Sequence, residues 1–254
     1  MVFSKPITDR TLVDHMVREI TFAILRNDYK IQQQLPTIRD LAEQFGVTVA
    51  TAQRALSRLE AMGLVFSRQG SGIKVCDLTE SISFGLLPIW VQALCKDEIA
   101  ASKLLAEVLE VRRALAISFL LTVRKSLLAS DYQLLESLLN KFTALIETKP
   151  LPYLQMAETD IAITRAFVRQ KPNTALTLIY NVFEQLILSI PALQHALYAH
   201  PEENIAGYQN VMTALASDTD DATLYTSVQQ AFQHIDALTI ERFRNILRQE
   251  KHQS

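Results

Sequence analysis

Residues 35–75 read LPTIRDLAEQFGVTVATAQRALSRLEAMGLVFSRQGSGIKV, and this stretch decides the fold. Ile38, Leu41, Ala42 and Phe45 recur at helical spacing. Gly46 follows where a left-handed C′ glycine would end that helix. Thr48 has a side chain suited to cap the next one, which runs to about Met62 with Ala52, Ala55, Leu56 and Leu59 facing inward. Gly63 closes it, and two short apolar runs around Gln69-Gly70-Ser71-Gly72 predict a β-hairpin. Helix, tight turn, helix and hairpin is the order of a winged helix-turn-helix, whose second helix enters the major groove of DNA.

The outward positions of that second helix are Thr48, Val49, Ala50, Thr51, Gln53, Arg54 and Ser57. They are short, polar or cationic, as base edges and phosphates require. No acid stands between Glu43 and Glu60, while Arg54 and Arg58 do. The same geometry serves protein docking, so a winged adaptor is the alternative for this unit.

Working outward, Leu12, Met16, Ile20, Ala23 and Ile24 predict a helix over 9–27, and residues 28–36 break the pattern. Beyond the hairpin, residues 77–88 (DLTESISFGLLP) read as a linker and the expected point of transmission between two domains, 1–76 and 89–254. From Trp90 onward only helices are predicted, over 89–95, 98–127, 131–147, 152–170, 173–195, 201–217 and 221–249. Pro191 falls where it would cut the fifth of these short. The expected fold is mainly α: an N-terminal winged helix-turn-helix, then an all-helical bundle of about seven helices.

Composition agrees. At 254 residues the chain exceeds one small domain, and 49% hydrophobic with 20% charged residues excludes a disordered chain. Four of six glycines lie between residues 46 and 72, which leaves little material for turn-rich β-structure elsewhere. Residues 1–78 carry ten Lys/Arg against eight Asp/Glu, and residues 79–254 carry fifteen against nineteen: a basic head on an acidic body. Cys76 and Cys95 lack CxxC spacing and suit a reducing compartment as inert thiols. The first ten residues lack the apolar run of a signal peptide, and no stretch matches the ~18 apolar residues of a membrane span. A cytoplasmic protein with no membrane partner is expected. There is no GxSxG, no HExxH and no phosphate loop, so no enzyme is expected either.

In the helical part, polar residues interrupt apolar stripes. Arg112 lies among Leu105, Val108, Ala116 and Phe119. Asp160 and Thr164 lie among Met156, Ala157, Ile163 and Phe167. Tyr208 lies among Ile205, Val211, Met212 and Leu215, and His234 borders Val228, Ala231 and Leu238. An inward charge is costly unless paired. One reading is a cavity in which Arg112 meets an anionic effector while Asp160, Thr164, Tyr208 and His234 line the wall. The other is a structural Arg112–Asp160 pair, with Tyr208 a satisfied core tyrosine and His234 half exposed.

The 35–75 stretch closely resembles the DNA-binding domain of GntR-family transcriptional regulators, carried by Leu35-Pro36, Arg39, Leu41-Ala42, Gly46-Val47-Thr48, Ala55-Leu56, Leu59-Glu60, Gly63-Leu64 and Gly70-Ser71-Gly72. The resemblance implies a homodimer on a near-palindromic operator in double-stranded DNA. It implies contacts from Arg39, Thr48 and Thr51, from the positions of Val49, Gln53 and Arg54, and from Gln69 and Gly70 in the wing. It departs from the family where Val49 and Gln53 replace commonly basic positions, which lowers cationic capacity. It departs again where Asn27, Ile31 and Gln32 stand in place of the usual glycines and proline.

The helical part resembles the FadR subfamily in LLAEVLEVRRALAISFLL, with Arg112, and in ETDIAITRAFVRQKPNTALTLIYNVFEQLI, with Asp160 and Asn173. That resemblance implies a six- to seven-helix ligand-binding and dimerising bundle, with an acyl-CoA or fatty-acid-like anion as effector. Many members of the subfamily hold a divalent metal through one Asp and three His. Here Thr164 and Tyr208 stand at two of the histidine positions, so no metal or cofactor is expected. A metal-dependent sensor of carboxylic acids is the alternative within the subfamily.

Overall fold

The computed structural model describes residues 9–68, 72–217 and 219–253. The chain divides into two compact units, with the boundary between Leu94 and Cys95.

In the first unit, α1 (Asp9–Leu25), α2 (Ile38–Gln44) and α3 (Val49–Ala61) precede the antiparallel strands β1 (Val65–Arg68) and β2 (Gly72–Val75). The α2–α3 turn follows its sequence chemistry. Thr37 caps α2, its hydroxyl accepting from the Asp40 amide. Gly46 sits at φ +62°, and the Val47 amide reaches back to the Ala42 carbonyl at 2.9 Å. Thr48 then caps α3, accepting from the Thr51 amide at 3.2 Å. Gly63 is required twice over: it sits at φ +74°, and a Cβ there would lie 2.4 Å from the Ser81 carbonyl oxygen.

Met16, Ile20 and Ile24 of α1 share one core with Leu41 of α2, with Ala52, Ala55, Leu56 and Leu59 of α3, and with Ile73 and Val75 of β2. Each fully buried leucine or isoleucine adds about 2 kcal/mol. Residues 32–35 lie along the hairpin: the Gln32 amide donates to Val75, Val75 to Gln33, and Leu35 to Ile73. The stretch 77–88, expected to be a linker, holds α4 (Leu78–Ser81), a 3-10 turn (Phe84–Leu86) and the start of α5 (Leu87–Leu94). α5 packs on α1, setting Ala93, Ile89 and Trp90 against the core of this unit.

Among the described residues the second unit has seven α-helices: α6 (Glu98–Val123), α7 (Ala129–Ile146), α8 (Tyr153–Val168), α9 (Thr174–Ser189), α10 (Pro191–Leu197), α11 (Pro201–Ala216) and α12 (Asp221–Gln253). Proline has no N–H to donate, and Pro191 accordingly ends α9 and begins α10 at a 97° bend. Asp97, Asn173 and Asp220 cap α6, α9 and α12 through their side-chain oxygens. The long helices α6 and α12 pack together, burying Leu105 and Val108 from one and Phe243 and Leu247 from the other. α8 packs between α7 and α9 and also touches α6 and α10. Among the described residues no single helix is long and apolar enough to cross a membrane.

Candidate DNA-binding face and effector cavity

On the first unit, the buried stripe of α3 fixes what its other face presents. With Ala52, Ala55, Leu56 and Leu59 inside, Thr48, Val49, Ala50, Gln53, Arg54 and Ser57 are exposed. Arg39 is exposed on α2. Thr51 departs from the outward position expected of it: it is 2% exposed. Its hydroxyl lies 2.9 Å from that of Thr48 and accepts from Arg54 Nη2 at 3.4 Å. Less than one turn beyond the cap, it faces the helix start, within hydrogen-bonding reach of Thr48 and Arg54. Arg58 is turned back to Asp14 of α1 in an ion pair. Gln69 and Gly70, expected at the wing tip, lie outside the described residues.

The second unit contains a cavity of about 150 Å³. Arg112, Asp160, Thr164 and Tyr208 all line it, with apolar walls from Ile161, Phe167, Phe183 and Val211. α6, α8 and α11 supply those four polar residues. His234 does not line it. The side chain is exposed because it points away from the face of α12 that Phe232 and Ile235 turn toward the cavity.

Arg112 and Asp160 do not pair directly. Arg112 Nη2 donates to Asp236 of α12 at 2.8 Å, and Arg113 Nη1 donates to the other oxygen of the same carboxylate. The Arg112 guanidinium carbon sits 5.3 Å from the Phe232 ring centroid, a cation–π arrangement. Its Nε is buried without an acceptor. Asp160 accepts instead from two phenols: Tyr198, at 3.1 Å, and Tyr208. Burial pushes the Asp160 carboxyl above the usual carboxylate range, opposed by the Tyr208 hydrogen bond, the Arg112 charge and the Tyr198 hydrogen bond. Burial and the neighbouring Asp160 charge push both phenols well up, so they remain donors.

This donor set does not fit a transition metal. Both Asp160 oxygens are taken by hydroxyls, Thr164 and Tyr208 supply no imidazole, and His195 stacks on Tyr153 with ring centroids 4.2 Å apart. Among the described residues no group of three or more His, Cys, Asp or Glu could hold an ion. Burial pushes the Cys95 thiol up to about 11, which leaves it a poor nucleophile.

Sequence reasoning missed Asp236, Arg113 and Tyr198. Asp236 interrupts the apolar stripe of Phe232, Ile235 and Phe243 much as Arg112 interrupts its own, so the same rule would have found it. Tyr198 follows the short α10 and carries no periodic signal.

A family model described as "Bacterial regulatory proteins, gntR family" matches residues 12–75. The uncharacterized HTH-type transcriptional regulator Rv0494 of Mycobacterium tuberculosis is 32% identical over 197 residues, spanning 77% of this chain and 75% of that protein. The HTH-type transcriptional regulator Mce2R of the same species is 34% identical over 84 residues, 33% of this chain and 35% of the relative. Among solved structures, Streptococcus agalactiae GntR aligns over 89% of this chain and 98% of its own at 20% identity, with a TM-score of 0.42.

Proposed function

The chain belongs to the gntR family of bacterial regulatory proteins and is a helix-turn-helix transcriptional regulator, and from that premise we propose that a small anionic effector, bound in the helical unit, controls its affinity for an operator. The observation that carries this is Arg112: a cation on the wall of a mostly apolar cavity, with one N–H left without an acceptor. A carboxylate entering there gains a charge-assisted hydrogen bond, and the apolar wall takes the rest of the molecule.

The site is formed by Arg112, Asp160, Thr164 and Tyr208. The helical unit is that of the FadR subfamily, and the effector is fatty-acid-like, an acyl-CoA being one such molecule. The protein works in the cytoplasm as a homodimer, two heads on two half-sites of a near-palindrome, as two-fold symmetry requires. Arg39, Thr48, Val49, Gln53 and Arg54 face the DNA together with the wing at Gln69 and Gly70. Thr51 supports them from within. Effector and operator are linked by a coupling of about 1–3 kcal/mol.

Native mass spectrometry of the protein purified from its cells tests this. A dimer carrying an anionic adduct, lost in Arg112→Ala while binding to genomic operator fragments persists, is the expected result. An adduct retained by Arg112→Ala overturns the assignment of the site.

A further inference from the structure

Two cavities in the helical unit share a wall. The inner one holds Arg112 and Asp160. The outer one is a groove of about 290 Å³ between α8 and α9. Thr164, Val168, Tyr180 and Glu184 line both, so the two spaces adjoin along these four side chains. Asp160, Thr164 and Val168 stand four residues apart on α8 and form one continuous rail from the inner cavity to the groove.

The groove carries two arginines of different status. Arg165 is committed to Glu184: its Nε donates to Glu184 Oε1 at 2.8 Å, and Nη2 reaches the other oxygen. The Glu184 side chain is 9% exposed and that of Arg165 54%, so the guanidinium neutralises a buried carboxylate from outside. Arg169, one turn further, is exposed and has no carboxylate partner among the described residues. The protein thus offers a cation at each end of one path, Arg112 within and Arg169 without. Val168 and Tyr180 lie between, where an apolar chain would pass.

Asp160, beside Arg112, and Arg169 are nine residues apart in sequence, a rise along α8 of ~13 Å. We propose that the groove is a second anion subsite, and that the effector carries two anionic ends joined by an apolar chain of roughly ten carbons at ordinary bond lengths. This rests on the reading of the inner cavity as the effector site. Arg112 takes one end. Arg169 takes the other, with Asn181 and Thr177 as hydrogen-bonding neighbours in the groove.

Titration calorimetry on the full chain with decanoate and decanedioate tests it, using wild type and Arg169→Gln. Arg169 is on the surface, so the variant folds. The expected result is decanedioate binding at least tenfold tighter than decanoate to wild type, with the difference gone in Arg169→Gln and decanoate affinity unchanged. If decanoate binds and decanedioate binds no tighter, the second subsite is refuted and the inner effector site stands. If the advantage of the diacid survives in Arg169→Gln, the second anion is held elsewhere and the proposal fails. If neither acid binds, the fatty-acid-like effector reading and this inference fall together.

Discussion

Arg112 of α6 is paired with Asp236 of α12 at 2.8 Å, and not with Asp160, whose cavity it shares. The Asp236 side chain is only 5% exposed and serves two guanidiniums at once. Asp236 thus serves two cations, while Asp160, held by its two phenols, faces the same cavity as Arg112. The Arg112–Asp236 pairing also ties α6 to α12.

The two partners should not be equivalent on removal. Asp236→Asn strands two largely buried guanidiniums and should destabilise the helical unit by about 3 kcal/mol. Arg112→Met leaves Asp236 still paired with Arg113 and keeps most of the side-chain volume, so it should cost about 1 kcal/mol. Urea denaturation of both variants measures this. Equal losses would mean that Arg113 does not hold Asp236 alone.

On the head, Arg39 is exposed at the start of α2, and no acid is paired with it among the described residues. A phosphate contact from such a position is indifferent to sequence. Arg39→Ala should weaken binding about fivefold or more to every DNA tested and reduce the slope of log affinity against log salt by about one. Fluorescence anisotropy over a salt series reads both quantities. A loss below about twofold, with the slope unchanged, would remove Arg39 from the interface.

The loop before Leu35 makes a different demand. Asn27 and Gln32 both sit in left-handed backbone, at φ 65° and φ 64°. Residues other than glycine thus carry the left-handed positions of this loop. Glutamine pays a steric penalty there that glycine does not, so Gln32→Gly should stabilise the head by about 1 kcal/mol after the extra unfolded-state entropy of glycine is allowed for. The neighbouring Ile31→Gly, at ordinary φ, should destabilise it. Thermal melts of the two variants decide the point.

The head was almost wholly legible in sequence, because its signals are local. Gly46 and Gly63 mark chain reversals, Thr48 a cap, and the α3 stripe a buried face, each within one or two turns of helix. The exception, Thr51, shows the limit of such reasoning: polarity placed it outside, and its own cap geometry turned it inward. In the body, periodicity found the helices and the odd polar residues Arg112, Asp160 and Tyr208, but not their pairing. Arg112 meets Asp236 across 124 positions of sequence, and periodicity along one helix does not name a partner on another. Residues 89–95 show the same limit: their apolar character predicts a helix, and only packing on α1 assigns that helix to the first unit.

Asp160 makes stability depend on pH in a predictable sense. Burial raises its carboxyl above the ordinary value, so the folded chain keeps the proton to a higher pH than the unfolded chain does. The stabilisation from that proton is complete below the unfolded-state value of ~3.9 and is lost as pH rises through the folded-state value. At neutral pH the burial of this carboxyl is therefore a cost, partly offset by Tyr208, Arg112 and Tyr198. Asp160→Asn removes the charge and keeps an oxygen for one phenol. It should raise the melting temperature of the helical unit at pH 7, and the gain should shrink as pH is lowered toward 4. Paired melts of wild type and variant across that range test the sign. A gain that grows toward acid pH would mean that the carboxylate is stabilised by its neighbours more than burial penalises it, and that Asp160 is a fixed anion facing Arg112.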